Sequence, residues 1–203
     1  MPKQSLERLG GFAAMLGGVA ISAYNLTEFF AFSGRPFSEL SQSKGWEPFQ
    51  LVGLVGGACV VFGVVGLYAV QASSTGWAGL GAFVLVLFGV LQYYGLSWAA
   101  AFLMPSVGRA APAVLDQPDA ALSFGLISTV LASSVGWIAF AVVTLRGHVF
   151  PRWAPILMLL SILASLVTES TRIAVPIGPI GLGIAIAGMG YFLLTRERRR
   201  LAA

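Results

Sequence analysis

The sequence predicts an all-α fold: a polytopic membrane helix bundle of six transmembrane helices with both termini in the cytoplasm. Three observations carry that prediction. Of 203 residues, 57% are hydrophobic and only 10% charged, too little charge to dress a surface that faces water. The apolar residues fall into six runs, each long enough to cross a hydrocarbon core of about 30 Å. The charged residues gather between those runs and at the two ends of the chain. With a mean hydropathy of +0.85, lipid is the expected solvent for most of a single transmembrane domain over 1–203.

The first run, 10–32, follows Lys3 and Arg8 and continues without a small-residue cleavage site, so it reads as a retained helix rather than a signal peptide. Gly10, Ala14, Gly18 and Ser22 recur along it at spacing four, a ridge that permits close helix approach where lipid supplies no hydrophobic drive. Shorter ridges, Gly53 with Gly57 and Gly183 with Ala187, support the same compact bundle. The second and third runs, 48–71 and 76–104, are separated by a predicted connection at 72–75. A faint internal similarity relates 63–78 to 136–154, both predicted hairpins.

The fourth run, 120–145, follows a proline-bearing loop in which Asp116 or Asp119 is placed to cap the helix. The fifth and sixth runs, 153–175 and 177–195, meet at a tight turn around Pro176. Trp46, Trp77, Trp98, Trp153 and Tyr191 stand near run ends, where amphipathic rings anchor a helix at the lipid–water boundary.

Six crossings put both termini on one side. That side holds Lys3, Arg8, Arg146, Arg152, Arg196, Arg198, Arg199 and Arg200, while the other holds Arg35, Lys44, Arg109 and Arg172. By the positive-inside rule the terminal side is cytoplasmic, and the two long loops at 33–47 and 105–119 face outward. Arg196, Arg198, Arg199 and Arg200 are expected to meet anionic lipid headgroups. Although the pI is near 9.6, the cations sit at segment ends rather than on one face, so nucleic acid is not an expected partner.

Several chemistries are argued against. His148 is the only histidine and Cys59 the only cysteine, so this chain alone offers neither a histidine cage, a thiolate cluster nor an intrachain disulfide. No lysine lies inside a run, and no phosphate loop, nucleophile elbow or Ser/His/Asp set is present. No cofactor, metal site or catalytic residue is expected, and the reading leans away from an enzyme.

What remains is a concentration of polar groups toward the outer ends of four runs, with Gln50 on the second and Tyr94 on the third among them. Asn25 and Glu28 lie on the first, Gln92, Tyr93 and Trp98 on the third, and Glu169 and Arg172 on the fifth. Ionisable groups at membrane depth are costly and usually face a bundle interior or a wet cavity. These seven residues are therefore the candidate lining of an outward polar pocket for a small molecule or lipid, or of a transport route. The alternative role is a structural or accessory subunit that docks on another copy or on a membrane complex. An intramembrane enzyme is the third.

The stretch 66–83, Gly-Leu-Tyr-Ala-Val-Gln-Ala-Ser-Ser-Thr-Gly-Trp-Ala-Gly-Leu-Gly-Ala-Phe, and the later 145–154, Leu-Arg-Gly-His-Val-Phe-Pro-Arg-Trp-Ala, resemble small multi-pass bacterial membrane proteins of no assigned function. The resemblance covers about the middle two thirds of the chain. It implies a bacterial inner-membrane location and carries over no site residue.

Overall fold

The computed structural model describes the backbone of residues 3–32, 34–171 and 176–201, and the side chains of 5–32, 34–167 and 176–196. Among these residues the regular structure is helical: α1 Lys3–Phe32, α2 Phe37–Leu40, α3 Trp46–Phe102, α4 Met104–Ala110, α5 Pro112–Asp116, α6 Ala120–Gly147, α7 Trp153–Thr171 and α8 Ile177–Leu201. By length and apolar content α1, α3, α6 and α8 can each cross a bilayer, and α7 carries a shorter apolar stretch, Trp153–Val167. Large apolar side chains point outward along them, Phe62 at 66% and Phe124 at 74% exposure, an arrangement that only lipid tolerates. The chain is a multi-pass integral membrane protein.

At about 1.5 Å per residue the 57 residues of α3 would run nearly three times the thickness of a hydrocarbon core as one rod. They do not, because Gly76 adopts φ 55°, ψ −143°, a conformation essentially restricted to glycine. Tyr68 stacks on Phe83 at 4.3 Å, a β-carbon on Gly57 would touch the Tyr94 ring, and Trp46 reaches the Ala100 carbonyl. These pairs are centred near the same point, so α3 is two antiparallel arms, 46–75 and 77–102. The connection expected at 72–75 is helical instead. Hydroxyls of Ser74 and Thr75 donate to the Gln71 carbonyl, each at 2.9 Å, which satisfies the helix end locally and leaves a single glycine to turn the chain.

The six long segments close into a ring: α1 packs on the first arm of α3 and on α8, the second arm packs on α6, and α7 joins α6 to α8. Twin glycines wedge α1 between its neighbours. Gly10 meets Gly66 and Gly17 meets Val60 on the first arm, whereas Gly11 meets Gly190 and Gly18 meets Gly183 and Ala187 on α8. A β-carbon at Gly17 would stand 2.7 Å from the Val60 nitrogen. The spacing-four ridge read from the sequence is thus split between two contacts, and its partners Gly11 and Gly17 complete it. Ser22 adds a hydroxyl bond of 3.1 Å to the Ile180 carbonyl.

Along the ring axis the two ends differ. Toward the end that carries the chain termini, the interior is filled by one cluster that includes Val64, Leu67, Val86, Phe140, Met158, Ile186 and Met189, none detectably exposed. The opposite end, here the loop end, carries α2, α4 and α5. The two long loops are therefore partly helical rather than irregular. Asp119 caps α6 by accepting from Leu122 N–H at 2.8 Å, as the sequence allows. Asp116 does something else: its carboxylate accepts from the Ser38 N–H at 2.9 Å and the Ser38 hydroxyl at 2.6 Å. Pro36 at the N-cap of α2 has no side-chain cap to offer, so Asp116 caps that helix from across the fold. Gln42 adds a 3.1 Å bond to the Gly108 carbonyl. The two loops are latched together.

Four of the five expected boundary aromatics are substantially exposed, Trp77 at 87% and Tyr191 at 61% the most so. Trp46 is not an anchor. It is 1% exposed, packs edge-on against Phe32 and Phe37, and donates its indole N–H to the Ala100 carbonyl at 2.8 Å, which ties both arms of α3 to the loop-end cap.

Candidate functional site: a cavity under the latched loops

Beneath the latch the ring encloses a cavity of about 940 Å³, large for a small-molecule site. Every segment of the ring contributes to its wall. Its floor is Val60, Val90, Trp137 and Ile162, which belong equally to the packed cluster below. Its roof includes Phe37 and Leu40 of α2, Met104, Leu115 and Pro118. The cavity is blind at the packed end.

The polar wall comes first from α1. Tyr24, Asn25 and Glu28 fall within one turn, at spacings that place them on one face, and all three line the cavity. Tyr24 stacks on Phe49 at 4.2 Å and donates its hydroxyl to the Gln50 side-chain carbonyl at 3.0 Å. Gln50 is 2% exposed, so this bond secures a buried amide and fixes the Tyr24 ring in the wall. Asn25 donates to the Ile21 carbonyl of its own helix at 2.9 Å.

Glu28 is exposed and stands beside Tyr24, with which it interacts electrostatically. Among the described residues it makes no hydrogen bond and no ion pair, and no Lys, Arg or His lines the cavity. A carboxylate so placed has to be met by a proton, water or a cation.

Of the residues singled out from sequence, the structure brings Asn25, Glu28 and Tyr93 to one cavity. Tyr93, at 44% exposure, faces it from the second arm of α3. Gln92 is one residue earlier, about 100° round the helix, and does not line the cavity; Trp98, at 54% exposure, does not either. The Glu169 side chain and Arg172 lie outside the described residues, as do the side chains of Arg198, Arg199 and Arg200; Arg196 is half-buried at the terminal end. Sequence reasoning noted Gln50 at the outer end of its run without naming it as lining, and missed Tyr24 and Trp137 as wall residues. Tyr24 was findable, since it stands one helical turn before Glu28. Trp137 was not, because its role depends on where α6 packs.

Among the described residues no three His, Cys, Asp or Glu side chains converge as a metal site. The chain matches no protein-family model, no curated protein and no solved structure.

Proposed function

We propose that this protein crosses a bacterial inner membrane six times with both termini in the cytoplasm, and that the cavity under its latched loops is an outward-facing binding site for a small molecule or a lipid. The count of six takes α3 as two crossings and α7 as one. The orientation rests on the eight of 12 Lys and Arg residues carried at the terminal end. One observation carries the binding role: a carboxylate, Glu28, with no hydrogen-bond or ion-pair partner among the described residues, on the wall of a 940 Å³ cavity closed below by packed side chains. Structural need alone does not explain it, since a structural bundle gains nothing from a hollow end with a charge in it. Because the floor is shut, any transport role requires the floor to open.

The small-residue faces that favoured an accessory-subunit role are occupied inside the bundle by α3 and α8. They leave no comparable ridge on α1 to recruit a partner.

Native mass spectrometry of the protein released from nanodiscs tests the reading. The wild type should retain a bound species of small-molecule or lipid mass. Ser97→Trp, which pushes a ring into the cavity, should remove it, and Val55→Trp, on the lipid-facing surface at 68% exposure, should not. Equal adducts in all three proteins, or none in any, would overturn a binding role.

A further inference from the structure

The chemistry of the wall narrows the ligand, and this step rests on the binding role just argued. We infer that the cavity takes an amphipathic organic cation, its positive centre beside Glu28 and its apolar body against the aromatic wall.

Charge comes first. Among the described lining residues Glu28 is the one Asp or Glu, and none is Lys, Arg or His. An anionic ligand would enter against its charge, while a cationic one would complete a pair with it. The wall around it is suited to a positive charge on carbon, nitrogen or phosphorus rather than to a hydrated metal ion. Tyr24, Phe29, Tyr93, Tyr94 and Trp137 all line the cavity, and aromatic faces attract organic cations through the ring quadrupole. A bare sodium or calcium ion needs about six or more oxygen ligands at close range. Among the described residues Glu28 has no second Asp, Glu, His or Cys on the wall to share such an ion with.

Size and polarity agree. The floor is Val60, Val90, Trp137 and Ile162, the roof Phe37, Leu40, Leu115 and Met104. Two of the amides near Glu28 are already engaged, Gln50 through its carbonyl with Tyr24 and Asn25 through its N–H with Ile21. The wall is mostly apolar despite the hydroxyls of Ser97, Ser133, Ser134 and Tyr94, so a ligand polar over its whole surface would set many of its groups against carbon. A ligand of one charge and several apolar groups would not.

The test uses three probes of nearly one shape: tetraphenylphosphonium, tetraphenylborate and the neutral triphenylphosphine oxide. Binding to the full-length protein in a nonionic detergent is measured by isothermal titration calorimetry. The wild type should prefer the phosphonium over the borate by about tenfold or more. Glu28→Gln should erase that preference while leaving the neutral probe unchanged, and Ser97→Trp should weaken every probe that enters the cavity. Equal phosphonium and borate affinities in the wild type overturn the cation assignment and need no variant to fold. If both bind equally and Ser97→Trp still blocks them, the cavity remains a binding site with a different ligand class. If the phosphonium does not bind at all, the assignment fails, and the adducts seen by native mass spectrometry decide the binding role separately. A Glu28→Gln protein that keeps the preference shows that the charge discrimination arises elsewhere and likewise overturns the assignment.

Discussion

The same six segments build a dry, filled half and a hollow, aromatic half, and the transition occurs within a few residues of Val60, Val90, Trp137 and Ile162. At the terminal end α1 offers Gly10, Gly11, Gly17 and Gly18, so backbones approach closely and Phe140, Met158, Ile186 and Met189 fill what is left. At the loop end α1 offers Tyr24, Glu28 and Phe29, which hold the neighbours apart. Side-chain size along one helix therefore decides whether the ring closes on itself or on a ligand. Even the buried polar groups differ. In the packed half Gln71 is fully buried and its amide finds no partner among the described residues, nor does the hydroxyl of Thr144. In the hollow half the Gln50 side chain is bonded, and the group without a hydrogen bond among the described residues is the Glu28 carboxylate on the cavity wall.

The contrast breaks first at Phe140, which is 0% exposed. Phe140→Ala leaves a void that the rigid floor cannot close, and it should cost about 3 to 5 kcal/mol, seen as a large drop in the unfolding midpoint in detergent. Phe29→Ala, at the cavity wall, should cost far less because its ring already borders empty space. Equal losses would mean that the hollow half is as tightly packed as the other. A change of opposite sign is expected at Gln71. Its amide is buried without a hydrogen bond, so Gln71→Met, similar in length and apolar, should raise the midpoint by the equivalent of about 1 to 2 kcal/mol. A fall instead would show that the amide is satisfied by internal water in the bilayer and belongs to a second polar site.

Much of the architecture was legible because lipid imposes long apolar runs and marks their ends with charge. The helical runs and the importance of the Gly10, Ala14, Gly18 and Ser22 ridge could be read directly. The turn was expected at 72–75 and stands at Gly76, because one glycine at an unusual dihedral looks like any other in a glycine-rich chain. The loops hid more. Pro36, Pro105, Pro112 and Pro118 suggested irregular backbone, yet proline is tolerated in a first helical turn, and α4 and α5 begin on such prolines. Of the site, Glu28 stood out from composition alone, since a lone acid in an apolar run is unusual. The misplacing of Trp98 and Gln92 has a simple cause: knowing that a residue lies toward one end of a helix does not say which way it faces.

The smallest expected effect lies in the latch. Asp116 is solvent-exposed, and its bonds to the Ser38 hydroxyl and backbone N–H hold its carboxyl below the usual aspartate range. A carboxyl depressed in the folded state contributes fully above its unfolded value of about 3.9 and loses that contribution as pH falls through the lower folded value. The latch should therefore be indifferent to pH between 5 and 8 and open only in strong acid. Asp116→Ala should mimic the acid state at neutral pH: hydrogen exchange should accelerate at Ser38 to Ser41, where α2 loses its borrowed cap, while the packed cluster and the unfolding midpoint barely move. If exchange at Phe140 accelerates as well, the two halves of the ring are coupled through the floor, and opening the latch is the first step in opening the cavity from below. If only α2 responds, the latch governs access from the loop end alone, and the floor stays shut whatever the cavity holds.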